Sequence, residues 1–233
     1  MPTSRPFVPF IRWANTVRIP RGGHGALNRR LYDHELVYVL EGQGNIILDG
    51  QTHPANPDHL FLVQPGIYHS FLSPDESQRL LGIHFDFEPH DDTLTFTEFE
   101  SAPDVLNRSR LRPRREIEGW HLAERPFLDL TGHPRVRRQL EELVAEYGRH
   151  DQQSRFIAGA QLLAIFGQIE RELTLMGEVA RHQRVGADAV RRVQRAREQL
   201  ERELESPPTI EAVAAQVGWS GDHLRRMFRA VLD

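Results

Sequence analysis

DHELVYVLEGQGNIILDG, residues 33–50, decides the fold of this chain. Its apolar run is rich in Val, Ile, Leu and Tyr and is cut by EGQG at 41–44 and by DG at 49–50. Both are strong turn signals between strands. Alternation places Glu35 on one face with Val37 and Val39, and turns His34 to the other. The same texture continues in HLFLVQPGIYHSFL (59–72) and RLLGIHFDF (79–87). Residues 7–100 therefore read as short strands separated by close turns, which predicts a small antiparallel barrel or sandwich.

After residue 100 the pattern changes. RSRLRPRR (108–115), broken by Pro113, reads as a solvated connector, with a DNA or interdomain contact as the alternative. From Pro134 the period is helical. Val136, Leu140, Leu143, Val144 and Tyr147 form one stripe, and a second run from Phe156 to Met176 is apolar around much of its circumference. Two helices beside the barrel would cover such faces, and so would the same helices of a second copy. The stripe of Val136, Leu140, Leu143 and Tyr147 predicts a homodimer through this region.

RHQRVG (181–186) is polar, carries no stripe and reads as an interdomain linker. Val190, Val193, Ala196, Leu200 and Leu204 then share a helical face that ends at SPP, 206–208. Thr209 is placed to cap the next helix, Gly218 to adopt a left-handed turn conformation, and Ser220 to cap the last helix. Leu224, Met227, Phe228 and Val231 point inward there. Gly221, Asp222, Arg225, Arg226 and Arg229 occupy the opposite face. Two short helices meeting at a glycine, the second basic, match the needs of a DNA-reading helix pair.

The bulk numbers exclude less than they allow. The 233 residues carry a formal net charge of −4, so no global polycation argues for nucleic acid, although a basic face on one domain suffices. All 29 basic residues are arginine, and there is no cysteine. Disulfide scaffolds, thiolate metal sites and cysteine nucleophiles are thereby excluded. No apolar run is long enough for a signal peptide or a bilayer span, so a cytoplasmic location with no membrane partner is the expectation.

The ending IEAVAAQVGWSGDHLRRMF resembles the first helix-turn-helix of AraC/XylS-type transcriptional regulators. DHELVYVLEGQGNIILDG, PGIYH at 65–69 and IHFDF at 83–87 resemble the cupin-type ligand domain of that family, and residues 126–176 its dimerisation helices. The resemblance implies an α+β protein. An N-terminal cupin-like antiparallel β-barrel (about 7–100) with two flanking dimerisation helices (about 133–177) makes up a domain at 1–180. After the linker at 181–186, residues 187–233 form an all-α helix-turn-helix segment. It further implies a regulator that binds promoter or operator DNA through Ser220, Gly221, Asp222, Arg225, Arg226 and Arg229. The family's DNA-binding unit has two such helix pairs, and the sequence stops before the helix that joins them, so an incomplete and mobile reading head is expected.

Cupin barrels often hold a metal through a His-x-His pair, a glutamate and a third histidine. By the resemblance, Glu35 and His69 fill the last two positions, but Asn28 and Arg30 stand where the pair belongs, and an arginine cannot be a ligand. No metal, no cofactor and no enzymatic role are therefore expected. A polar pocket remains, assigned to Trp13, Arg30, Glu35, His69, Phe71, His84 and Asp86. Its acidic lining and aromatic floor point to a small-molecule effector of the sugar type. A metal-dependent cupin enzyme with a helical tail, and a shortened partner that pairs with full-length regulators, are the alternatives.

Overall fold

The computed structural model describes residues 8–87, 99–100, 106–113, 127–185, 187–203 and 207–232. The chain divides into two compact units, residues 1–170 and 171–233. Among the described residues of the first, ten strands form two five-stranded sheets. One has the order β1 (Phe10–Ile19), β8 (Gln78–Asp86), β3 (His34–Glu41), β6 (His59–Val63), β10 (Phe127–Asp129). The other has the order β5 (Gln51–Ala55), β4 (Gly44–Leu48), β7 (Tyr68–Ser73), β2 (Gly23–Leu31), β9 (Phe99–Glu100). All pairings are antiparallel. The turns fall where the sequence marks them: Gly42 and Gly50 have φ of 76° and 83°, values that glycine adopts without a Cβ clash.

The sheets face each other across a core of Ile19, Val37, Val39, Ile46, Leu48, Phe61, Val63 and Phe71. Strand β3 is buried on both faces over His34–Leu40, so its outer face needs a cover as well. Two helices supply it from the same chain. Helix α1 (Pro134–Tyr147), opened by a proline at its first turn where no backbone donor is needed, packs on β1 and β8. Helix α2 (Gln152–Val185) brings Phe166 to within 5.3 Å of the Phe85 ring and 6.2 Å of Phe87.

This placement corrects the assignment of the α1 stripe to a dimer interface. Val136, Leu140, Leu143 and Tyr147 are all buried within one protomer, and the Tyr147 hydroxyl donates to the Arg12 carbonyl at 2.7 Å. A side chain that has already lost its water against its own sheet has no apolar surface left for a second copy. The large apolar residues of α2 that remain uncovered among the described residues are others: Phe156 is 69% exposed, Leu175 48% and Ile157 43%.

The basic connector is solvated only in part: Arg108, Ser109 and Pro113 are exposed. Arg112 is buried, its backbone N–H donates to the Tyr32 carbonyl at 2.8 Å, and Arg110 lies 4.9 Å from the Tyr32 ring. Arg114 and Arg115 lie outside the described residues. The polar 181–185 segment, expected as a linker, continues α2, and the division between units falls earlier, after Glu170. A helix polar on all sides carries no stripe, so periodicity could not reveal it.

In the second unit α3 (Ala187–Arg202), α4 (Ile210–Gln216) and α5 (Gly221–Leu232) close around Val193, Ala196, Val213, Ala214 and Leu224. Thr209 Oγ1 accepts from the Ala212 N–H at 3.2 Å and Ser220 Oγ from the His223 N–H at 3.2 Å, capping α4 and α5. Gly218 turns the chain with φ 74°. Arg192 of α3 donates to the Val217 carbonyl at 2.9 Å and lies 5.7 Å from the Trp219 ring, securing the turn. The three helices thus share a core of their own, in which Val231 is buried and Met227 and Phe228 partly so, faces the sequence left uncovered. Leu204 lies outside the described residues.

Candidate functional site

A cavity of about 220 Å³ opens between the two sheets. Its polar end is made by Arg29, Glu35 and His84, and its walls by Val17, Ile19, Val37, Phe71 and Leu80. Trp13 flanks it, with its ring 5.5 Å from the His84 ring in an edge-on arrangement. The indole lies over the bare backbone of Gly82, where a Cβ would meet Trp13 Cζ3 at 3.0 Å. An irregularity in β1 between Ile11 and Trp13 breaks the alternation here. Arg12 bonds Asp86 while its neighbour Trp13 faces the cavity.

The polar end is a chain of buried charges. Arg29 Nη2 donates to Glu35 Oε1 at 2.8 Å and Arg29 Nε to His69 Nε2 at 3.1 Å. His69 Nδ1 lies 3.0 Å from the Ile67 carbonyl. Nδ1 must then carry the proton, and Nε2 is an acceptor. Its 3.1 Å approach to Glu35 Oε2 is therefore not a hydrogen bond, and Oε2 is left without a donor. His84 stands between two carboxylates, Nδ1 3.2 Å from Asp33 Oδ1 and Nε2 3.4 Å from Glu35 Oε1. Burial draws the His84 pKa down, but the Glu35 charge and the bonds to Asp33 and Glu35 outweigh it and push it up to about 9. Burial raises Glu35, yet the Arg29 and His84 charges hold its carboxyl well below the ordinary value. His84 is thus a cation and Glu35 an anion at neutral pH.

Asp86 belongs to a second cluster. Arg12 Nε donates to its Oδ2 at 2.6 Å, and Arg112 Nε lies 3.5 Å from the same oxygen. Burial raises the Asp86 pKa above its usual value against the pull of both arginines.

Of the seven residues the sequence assigns to the pocket, Trp13, Glu35, Phe71 and His84 line the cavity. His69 is fully buried behind Arg29 and Glu35. Arg30 and Asp86 do not line it. Arg30 donates to the Gly66 carbonyl at 2.6 Å and lies over the Tyr68 ring. Arg29 takes the inward place, on the same face of β2 as Gly25 and opposite His69 of β7, past two register shifts between His24 and Arg29 that offset each other. With Asp86 bound elsewhere and five apolar walls, the lining is not acidic and does not favour a sugar. Asp33, Arg12 and Arg112 were also missed. Asp33 was legible in part, since it adjoins the turn into β3, but Arg112 had no signal because its partners lie distant in sequence.

A metal ion in such a barrel would need Glu35, His69 and His84 to share it. Among the described residues no group of three His, Cys, Asp or Glu side chains is arranged to hold a cation. The donor set points the same way: the Arg29 guanidinium bonds both Glu35 and His69, supplying the positive charge a metal would bring. The residues present do not fit a metal.

In the second unit Ser220, Asp222, Arg225, Arg226 and Arg229 are exposed on one side of α5, and Gly221 is half-buried. Arg225 is held by Asp222 at 2.9 Å and Glu211 at 3.2 Å, whereas Arg226 Nη2 meets the His223 ring at 2.9 Å. Among the described residues no helix is long and apolar enough to cross a membrane.

A profile described as the AraC-like ligand binding domain matches residues 23–166. No curated protein matches the chain. Among solved structures, a predicted oxalate decarboxylase from Thermotoga maritima is 20% identical, over 32% of this chain and 66% of its own, with a TM-score of 0.30. A cupin 2 domain-containing protein from Halorhodospira halophila is 21% identical, over 34% and 58%, with a TM-score of 0.30. A salicylate 1,2-dioxygenase from Pseudaminobacter salicylatoxidans is 18% identical, over 30% and 20%, with a TM-score of 0.29. The chain thus spans between a fifth and about two thirds of the length of these proteins. The expectation of no enzymatic role is corrected by this comparison: two of the three similar chains are described as a decarboxylase and a dioxygenase. The exclusion is withdrawn.

Proposed function

The chain belongs to the AraC-like ligand-binding domain family, and from that premise we propose that it is a ligand-responsive regulator of transcription. Its barrel senses a small organic effector, and α3–α5 form a helix-turn-helix that binds DNA. The observation that carries the reading is the cavity, with its apolar walls and one charged, buried end, lined by β1 and by strands of the matched segment. The geometry of α4 and α5, with both caps, Gly218 and the exposed basic side of α5, supports the DNA-binding part.

Arg226 reads a base edge in this scheme, and Arg229 meets a phosphate. Arg225, held by Asp222 and Glu211, shapes the start of the reading helix with Ser220 and Gly221. Selection from a randomised duplex pool with the full chain, followed by anisotropy titrations, tests this. Arg226→Ala is expected to cost the preferred duplex about 1–3 kcal/mol relative to others. Arg229→Ala is expected to weaken all duplexes alike and to reduce the salt slope by about one. Equal affinity of the wild-type chain for every duplex overturns the sequence-specific reading.

Two copies pair through the outer side of α2, where Phe156 and Ile157 are exposed beside the small, exposed Ala160, Ala164 and Gly167. Small residues permit close helix approach, and the exposed aromatic gains a cover. Phe156→Glu with Ile157→Glu is expected to give folded monomers by light scattering, because neither side chain supports its own protomer's core. A dimer that survives both changes places the pairing elsewhere.

A further inference from the structure

The free hydrogen-bonding capacity at the polar end of the cavity is small and specific. Arg29 spends Nε on His69 and Nη2 on Glu35, and Nη1 has no hydrogen-bond partner among the described residues. Glu35 Oε1 takes the Arg29 bond and faces His84, while the buried Oε2 has no donor. One donor group and one acceptor atom are therefore left open on adjacent side chains. A group that both accepts and donates satisfies the pair; a group that only accepts leaves the buried Glu35 Oε2 without a donor.

Charge narrows the choice. Arg29 and the doubly bonded His84 supply two positive charges, Glu35 and Asp33 two negative ones, and the cluster is neutral as it stands. A carboxylate placed on Arg29 would add an uncompensated anion beside Glu35, and an ammonium on Glu35 an uncompensated cation beside Arg29 and His84. Neither has a counter-charge waiting in the cavity walls, and a buried unpaired charge is strongly disfavoured.

Shape and polarity narrow it further. The walls are Val17, Ile19, Val37, Phe71 and Leu80, with Trp13 alongside, and they offer side-chain carbon to whatever fills the cavity. A polyol would strand its remaining hydroxyls against these walls without replacement for lost water. The cavity, about 220 Å³, has room for a small organic molecule.

Building on the effector-binding reading, we infer that the cavity takes a small, electrically neutral molecule with a single hydroxyl or primary-amide head and an apolar body. The head sits between Arg29 Nη1 and Glu35 Oε2, and the body lies against Phe71 and Trp13.

The test is calorimetric titration of the full chain at pH 7 with size-matched probes: benzyl alcohol, benzamide, benzoate, benzylamine, toluene and xylitol. Benzyl alcohol and benzamide are expected to bind. Benzoate, benzylamine and toluene are expected to bind at least tenfold more weakly, and xylitol not measurably. Nuclear Overhauser contacts from the probe's aromatic protons to Trp13 and Phe71 are expected to place the body, with no substitution required. If toluene binds as well as benzyl alcohol, the head group is not recognised and the inference falls. If benzoate, benzylamine or xylitol binds as well or better, the head-group class is wrong while the effector-binding reading stands. Binding without contacts to Trp13 and Phe71 also overturns the inference. If no probe binds, the inference and the effector-binding reading fall together.

Discussion

Leu140→Glu is expected to unfold the β-domain rather than to separate a dimer. Leu140 is fully buried on α1, in a stripe whose other members, Val136, Leu143 and Tyr147, are also buried within the protomer. Removing the leucine side chain alone costs about 2–5 kcal/mol in a packed core. A carboxylate in its place adds a desolvation penalty of several kcal/mol, with no cation provided to offset it. The sum is comparable with the whole stability of a typical domain, about 5–15 kcal/mol. Urea denaturation followed by circular dichroism, with light scattering on the same samples, separates the possibilities. The expected result is loss of the cooperative transition or aggregation. A soluble monomer with an unchanged midpoint would show that α1 is a subunit interface after all.

The second large effect is a loss of stability on the alkaline side of neutrality. An unfolded histidine titrates near 6.5, whereas His84 in the folded chain is held at about 9 by Glu35 and Asp33 against the cost of burial. The folded state therefore binds a proton that the unfolded state gives up between these values. The stabilisation is full below about pH 6.5 and is lost as the pH rises to about 9, a change on the order of 3 kcal/mol. Glu35 acts in the opposite direction: its carboxyl is held below the ordinary value, so its contribution is present at neutral pH and is lost on acidification. Both contributions are intact near pH 6. Denaturation midpoints at pH 6, 7.5 and 9.5 are expected to fall progressively, and His84→Gln to flatten that slope even though the variant starts less stable. An equally steep slope in the variant would assign the alkaline loss to other groups.

The two effects concern features that were unequally legible in the sequence. The strands, their turns at Gly42 and Gly50, the inward set of Glu35 and Val37, and the caps Thr209 and Ser220 follow from alternation, turn residues and capping chemistry within a few residues of each position. The apolar pattern of α1 was legible too, but not what it faces. A helical stripe states that apolar surface will be covered and does not say by which chain. Arg30 was assigned to the pocket from the spacing of the family's histidine pair, and Arg29, on the same strand face as Gly25, occupies it. The Asp86 cluster joins Arg12, Asp86 and Arg112, which are separated by tens of residues, and such pairings are decided by which strands lie side by side.

By itself, then, the sequence determined the local geometry of this protein: where strands alternate, where the chain turns, and where helices begin. Those outcomes depend on backbone sterics and on side chains only a few positions apart. The tertiary structure alone decided that α1 covers its own sheet, that Arg29 and not Arg30 reaches Glu35, and that the cavity wall is apolar and not acidic. Each of these depends on register and on contacts between distant segments, and shifting one strand by a single residue exchanges every inward side chain for an outward one.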